Sequence, residues 1–195
     1  MGKLVVTEFI SLDGVIEDPG GAEGSKHGGW SFRSPAPDGE KFKFDELMAA
    51  DVQLLGRVTY EGFAKAWPAM EEATGEFGAK MNGMPKVVVS TTLTEPTWRN
   101  TTVISGDVAA AVAELKQRYE GDVLVAGSAT LAQSLAGYGL VDEYRLMVHP
   151  VVLGEGKRLF EDGGPDLALE LVESRNVGPS VLLLTYRPAK QAAQA

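Results

Sequence analysis

Apolar residues along this chain fall into two recurring patterns. Short runs rich in valine, isoleucine and leucine occur at Leu4–Ile10, Val52–Leu55, Lys86–Ser90, Thr102–Ser105 and Asp122–Ala126. Runs of this length, with few charges inside them, predict strands covered on both faces. Between them the apolar positions take helical spacing. Residues 41–50 place Phe44, Leu47 and Met48 on one face, and Arg57–Ala66 forms a second helix that Trp67-Pro68 is expected to close. Residues 69–84 are helical in part but interrupted by Gly75, Gly78 and Gly83. Asp107 caps a helix reaching Tyr119, with Val108, Ala111, Val112 and Leu115 inward, and Gly127-Ser128 opens another that ends near Tyr138. From Asp142 the helical period disappears, leaving strands at Glu143–Val152, Ala168–Ser174 and Val181–Arg187.

Strand and helix alternation over the first two thirds predicts βαβ units. The expected fold is α/β, with a mainly parallel central sheet, antiparallel C-terminal strands and helices on both faces. One domain is expected over residues 1–188, with 189–195 a frayed tail. Residues 13–40 stand apart. They are rich in glycine, proline, serine and aspartate, too long for a simple connection, and contain His27, Trp30 and Phe32. Two readings fit: a lid over a ligand with Trp30 and Phe32 as aromatic anchors, or a surface loop pinned by one buried tryptophan.

Charge and composition narrow the chemistry. The 195 residues carry a formal charge of −9 and no cysteine. An acidic chain disfavours nucleic acid and anionic membrane as partners, while a few local cations still suffice for a small anion. Without cysteine there is no disulfide, thiolate metal site or thiol nucleophile. No apolar run approaches the ~20 residues of a membrane span, and a strand opening at Lys3 leaves no room for a signal peptide, so a cytoplasmic protein is expected.

The most informative stretch is Leu54–Phe63, where a strand meets a single glycine and a helix begins on Arg57. A cation at a helix N-terminus opposes the helix dipole. A bound phosphate would justify it, because helix N-termini offer free N–H groups and a positive field; a surface ion pair with a nearby carboxylate is the plainer alternative. Similar strand-to-helix junctions lie at Ala126-Gly127-Ser128-Ala129-Thr130, and a third strand end carries Ser90-Thr91-Thr92. Open α/β sheets bind ligands at such carboxyl ends. The glycine-rich dinucleotide fingerprint, the P-loop and the Gly-x-Ser-x-Gly elbow are absent. Only His27 and His149 carry imidazoles, so no metal site is expected, and His149, inside a strand before Pro150, reads as structural.

Taken in order, Leu4–Glu17 with Ser11-Leu12-Asp13-Gly14, then Leu54–Phe63, Lys86–Ser90, Val123–Ser128 and Leu140–Gly156 resemble the dihydrofolate reductase superfamily. The closer likeness is to the reductase domain of the bifunctional deaminase–reductase of riboflavin biosynthesis. The resemblance implies an NADPH-dependent reductase of a small heterocycle, such as 5-amino-6-(5-phosphoribosylamino)uracil or a dihydrofolate. It implies cofactor contacts at Gly56, Arg57 and Thr59, with Arg57 on the 2′-phosphate, at Ser90 and Thr91, and at Gly127, Ser128, Ala129 and Thr130. Ser128 replaces the second glycine of the usual pair, which is often joined by a cis peptide, so cis is expected at Gly127–Ser128. Thr130 stands where some relatives carry a base, leaving NADH open.

For a catalytic carboxylate the family uses the helix after the lid. Asp38, Glu40, Asp45 and Glu46 occupy that region; Glu40 is taken as a candidate together with Asp13, whose alternative is an Asx turn with Gly14. The cations of Leu153–Arg158 read as solvated loop charges. A non-catalytic nucleotide- or flavin-binding protein on the same fold is the competing reading. A homodimer is expected from the late apolar strands, Val181–Leu184 above all, and from the family's habit of pairing.

Overall fold

The structure, a computed structural model, describes residues 1–189. Its centre is an eight-stranded sheet: β1 (Leu4–Ser11), β2 (Ala50–Gly56), β3 (Lys86–Val89), β4 (Thr101–Ile104), β5 (Asp122–Val125), β6 (Glu143–His149), β7 (Leu169–Asn176) and β8 (Leu182–Pro188). The spatial order is β4-β3-β2-β5-β1-β6-β8-β7. Pairing is parallel from β4 through to β6 and antiparallel at β6–β8 and β8–β7. This is the α/β architecture expected from the pattern. The helices are α1 (Pro37–Ala49), α2 (Arg57–Thr74), α3 (Glu76–Gly83), α4 (Val108–Arg118) and α5 (Ala129–Gly137).

Strand residues alternate between two cores, as a period of two requires. Leu4, Val6 and Ile10 of β1, Val52 and Leu54 of β2, and Val123 and Val125 of β5 pack with Val112 and Leu115 of α4 and Leu131 and Leu135 of α5. Val5, Leu55 and Leu124 point the other way, towards Leu47 of α1, Tyr60 of α2, Met81 of α3 and Trp98. Helices therefore cover both faces, which is why the strands read as continuous apolar runs.

Several element boundaries differ from the sequence expectation. α1 begins at Pro37 rather than residue 41, because proline at a first helical position loses no hydrogen bond and brings its φ preset. α2 does not stop at Trp67-Pro68 but runs through Pro68 to Thr74. The ring costs one helical bond. Beside it, Trp67 O accepts from Asn82 Nδ2, and the Trp67 ring packs on Phe63 and Phe77. Gly75, at φ +58°, ends α2 instead. β6 ends at His149, three residues early. Ala189 N donates to Ala168 O across the β7–β8 end, so the first residue of the expected tail is tied down; residues 190–195 lie outside the described residues.

A buried ionic network fixes α1 to the sheet. Arg145 of β6 donates to Glu143, Glu46 and Asp122 at 2.8, 3.2 and 2.8 Å. Glu46 of α1 also accepts from Thr7 Oγ1 at 2.9 Å and Lys43 Nζ at 3.1 Å. Burial alone disfavours the Arg145 charge, but Glu46, Asp122 and Glu143 around it outweigh that and raise its pKa, so it stays ionised.

Candidate functional site

Parallel pairing brings the carboxyl ends of β3, β2, β5 and β1 side by side. Gly56 at the end of β2 is in register with Val89, one residue before Ser90. The Gly56 and Gly127 corners touch. A Cβ on Gly56 would overlap Ser128 Oγ, and one on Gly127 would sit 3.0 Å from Thr59 Oγ1. Gly127 has φ +81°, which favours glycine, and the Gly127–Ser128 peptide is cis, as expected. The corners at Gly56, Ser90 and Gly127 therefore share one sheet edge, two of them in contact.

The electrostatics at that edge are unusual. α2 starts after Gly56 and α5 after Ser128; neither has a side-chain cap, and neither has an acidic residue in its first turn. By contrast, Asp107 caps α4 by accepting from Ala110 N at 3.0 Å, and α1 carries Asp38 and Glu40 in its first turn. Free N–H groups and an uncompensated positive dipole end are thus concentrated where α2 and α5 begin, a setting that suits phosphate. Arg57 is exposed and pairs with Glu61 one turn on, at 2.8 Å. Ser90 Oγ accepts from the Thr92 and Leu93 amides, Thr91 and Thr130 are exposed, and Ala129 is buried at the start of α5. A groove of about 910 Å³ continues from Ala129, Thr130 and Gln133 past Glu17, Lys157 and Arg158.

The candidate acids are placed differently. Asp13 is half-buried, but its carboxylate reaches across to the loop after β6, accepting from Leu153 N at 3.1 Å and Gly154 N at 2.7 Å, and from Ser11 Oγ at 2.7 Å. No Asx turn to Gly14 forms; Gly14 N donates to Ser11 O. Burial pushes the Asp13 carboxyl up, but the Ser11 hydroxyl and the Gly154 and Leu153 amides outweigh it and bring the pKa down to about 2. Glu40 lies on the exposed side of α1. Trp30 is fully buried, its Nε1 donating to Glu17 O at 2.8 Å, whereas Phe32, two residues on, is 78% exposed. The loop is thus pinned by one tryptophan, with Phe32 facing out. Asp18 organises its tip, accepting from the Glu23 and Ser25 amides.

Glu8 is the carboxylate that the pattern concealed. It sits in β1 among apolar neighbours, 6% exposed, and its Oε1 accepts from Gly127 N at 2.8 Å. Burial raises its pKa to about 8, against the Gly127 amide and Lys43, which lower it. The signal was present as a charge inside a buried strand, a position that needs a partner. Among the described residues no cluster of three or more histidine, cysteine or acidic side chains is placed to hold a metal, and no helix is long and apolar enough to cross a membrane.

Comparison with known proteins agrees with this fold. The chain is 29% identical over 186 residues to the uncharacterized protein YyaP of Bacillus subtilis (strain 168), covering 94% of each. Its fold matches a putative riboflavin biosynthesis protein from Shewanella sp. PV-4 with a TM-score of 0.74 at 21% identity, over 96% of this chain and 99% of that one. It also matches dihydrofolate reductase from Enterococcus faecalis, solved with NADP(H) and RAB-propyl, with a TM-score of 0.58 at 15% identity, over 96% and 97%. The model of the RibD C-terminal domain matches residues 2–183, and the chain belongs to that family.

Proposed function

We propose that this chain is an NADPH-dependent reductase of a small heterocyclic substrate, with NADH as the alternative coenzyme. One observation carries the reading: two helix N-termini, both without caps or acidic residues, meet at Gly56 and Ser128 beside a guanidinium. The donor set fits a dinucleotide. The amides opening α2 and α5 and the hydroxyls of Thr59, Ser90 and Ser128 would hold the diphosphate, and Arg57 would leave Glu61 for the 2′-phosphate. The bare Cα of Gly56 keeps the two corners close. A bound nicotinamide supplies the hydride; the protein's part is to hold and orient it and to exclude water. The family and the solved relatives, one of them holding NADP(H), support this reading.

A second reading has its own support. Asp13 is committed to the Leu153–Gly154 amides and Glu40 is exposed, which leaves a nucleotide- or flavin-binding protein without turnover. Melting curves with NADPH, NADH and flavins separate the two, since a ligand bound only by the folded state stabilises by RT ln(1 + [L]/Kd). A rise with flavin alone favours the second reading; where a nicotinamide coenzyme raises the Tm, oxidation of that coenzyme by a heterocyclic acceptor marks the reductase, and binding without oxidation marks the second.

We also propose a homodimer in the cytoplasm. β7 is an edge strand whose Leu171 and Val172 are exposed, and Leu182 of β8, opposite Asn176 at the other end of β7, is exposed as well. Such an edge is a site for a second copy. Light scattering should give twice the chain mass, and Val172→Lys should halve it.

A further inference from the structure

Glu8 stands where an apolar side chain would cost less. By the period of two it shares the face of β1 that carries Leu4, Val6 and Ile10, packed with α4 and α5. A carboxyl buried there is costly unless it gains a partner. The partner is the Gly127 amide, which donates to Glu8 Oε1 at 2.8 Å. An amide needs only a neutral acceptor, so this bond accounts for an oxygen at the position and not for an ionisable group.

Its place in the sheet supplies the reason. β1 and β5 are in parallel register from Leu4–Val123 to Val6–Val125, which sets Glu8 level with Gly127 at the carboxyl edge. Gly127 lies against Thr59, the Ser128 hydroxyl lies against Gly56, and α5 opens at Ala129 without a cap or an acidic residue in its first turn. Only Ser128 therefore separates the residue that Glu8 holds from the free amides of α5. An anion at Glu8 would counter the positive end of that helix and repel a phosphate bound there. A neutral Glu8 keeps its bond to Gly127 and leaves the helix end to the ligand.

We propose that Glu8 is a positioning residue of the coenzyme site: through the Gly127 amide it sets the corner where α5 meets the diphosphate, and it does so as a neutral acid, so that loss of its proton weakens coenzyme binding. The inference rests on the reductase reading for the ligand, and on the Glu8–Gly127 bond for the device. Burial raises the Glu8 pKa to about 8, which keeps the acid neutral at pH 7. The charged groups facing it are Lys43 and Glu46 of α1, paired with each other at 3.1 Å, and Glu23 of the long loop, which has Asp18, Glu17 and Lys157 around it. α5 has no ionisable side chain. On the same face β6 carries Tyr144, Leu146 and Val148, of which only Tyr144 ionises, pushed up by burial to about 12. Coupling is reciprocal, so a bound diphosphate must raise the Glu8 pKa by as many units as ionisation costs in decades of affinity.

The test is calorimetry of NADPH binding between roughly pH 7 and 9.5, the span around the shifted Glu8 titration, on wild type, Glu8→Gln and Glu8→Leu. Glutamine keeps the acceptor and cannot ionise; leucine keeps the bulk and has neither property. For a charge effect on the order of tenfold, the wild-type Kd should weaken about five- to tenfold across this range. Near pH 8.5 wild type should take up about half a proton per NADPH, read from buffers of different ionisation enthalpy and needing no variant. Glu8→Gln should match wild type at neutral pH, with a flat profile and no uptake. Glu8→Leu should bind more weakly than Glu8→Gln at every pH, because the Gly127 amide has lost its acceptor. Parallel profiles and equal proton uptake in wild type and Glu8→Gln, or Glu8→Leu binding as tightly as Glu8→Gln, overturn the proposal. Failure of wild type to bind NADPH even at neutral pH, where Glu8 keeps its proton, is instead a failure of the reductase reading and removes this inference with it.

Discussion

Glu8 on β1 and Gly127 after β5 are joined by a 2.8 Å hydrogen bond from the Gly127 amide to the buried Glu8 carboxyl. The bond links the strand at the centre of the sheet to the corner where α5 opens. It also makes that corner sensitive to pH. Burial lifts the Glu8 pKa from 4.5 to about 8, although the Gly127 amide and Lys43 act against the rise. The folded state keeps this proton where the unfolded chain has lost it. Glu8 therefore contributes stability that is complete below pH 4.5 and is lost as pH rises through about 8. The slope is at most about 1.4 kcal/mol per pH unit. Glu8→Gln keeps an acceptor for the Gly127 amide and removes the titration. Urea unfolding of the variant between pH 5 and 8 should be flatter than wild type; an unchanged slope would assign the pH dependence elsewhere.

Arg57 has two suitors. In the structure it pairs with Glu61, both side chains being about half exposed, and such pairs contribute little to stability. Arg57→Ala should therefore leave Tm nearly unchanged, within roughly 0.5 kcal/mol of stability. Its effect should fall on coenzyme binding. A 2′-phosphate partner predicts a Kd for NADPH weakened about 10- to 100-fold, in line with a charge-assisted bond of about 1.5–3 kcal/mol, and a Kd for NADH almost unaltered. Equal loss for both coenzymes would remove the 2′-phosphate from Arg57.

Asp13 holds two segments together that are far apart in sequence. Its carboxylate binds the Leu153 and Gly154 amides, and its main-chain oxygen accepts from Arg158 Nε at 2.9 Å. With a pKa of about 2 it is ionised at neutral pH and is a poor proton donor. Asp13→Ala hands the partly buried Leu153 amide and the exposed Gly154 amide to water and should cost about 0.5–1.5 kcal/mol, the net value of an ordinary hydrogen bond. Hydrogen exchange should speed up first at Leu153 and Gly154. The linkage has the opposite sign to that of Glu8: the stabilisation is present above pH 3.8 and is lost as pH falls towards 2. Slow exchange at both amides in the variant would show that the loop is held by other contacts.

The legibility of this fold in its sequence follows from burial. Strands covered on both faces leave unbroken Val-Leu runs, so β2, β3 and β5 were readable directly, and with them the corners at residues 56, 90 and 127. Signals that depend on partners far away in sequence were not. Nothing local shows that Glu8 meets Gly127, that Asp13 bridges to Leu153 rather than turning onto Gly14, or that Arg145 gathers carboxylates from β5, α1 and its own strand. Pro68 misled for the same reason: local chemistry says stop, and the aromatic packing of Phe63, Trp67 and Phe77 carries the helix on.

Lys86 is the remaining charge in the interior. It opens β3 with no solvent exposure, donates to Asn82 O, Met84 O and Arg99 O at 2.9, 2.8 and 3.2 Å, and lies 4.2 Å from the centre of the Trp98 ring. The three carbonyls belong to the end of α3, the turn after it and the segment before β4, so one ammonium closes the seam between them. Burial, helped by nearby Arg99, lowers its pKa from 10.5 to about 8. The folded state releases this proton before the unfolded chain does, so stability from this site grows as pH rises from about 8 to 10.5. Lys86→Met leaves Met84 O and Arg99 O without the ammonium, while Asn82 O keeps Arg99 Nε at 2.9 Å, and it removes the cation from the Trp98 face. It should cost about 2–4 kcal/mol at pH 7 and abolish the alkaline gain. Because Lys86 lies at the amino end of β3, away from Gly56 and Gly127, coenzyme Kd should be unchanged in the folded variant. A stability loss under about 0.5 kcal/mol, the range of ordinary surface changes, would mean that these carbonyls find other donors and that the ammonium is not what closes the seam.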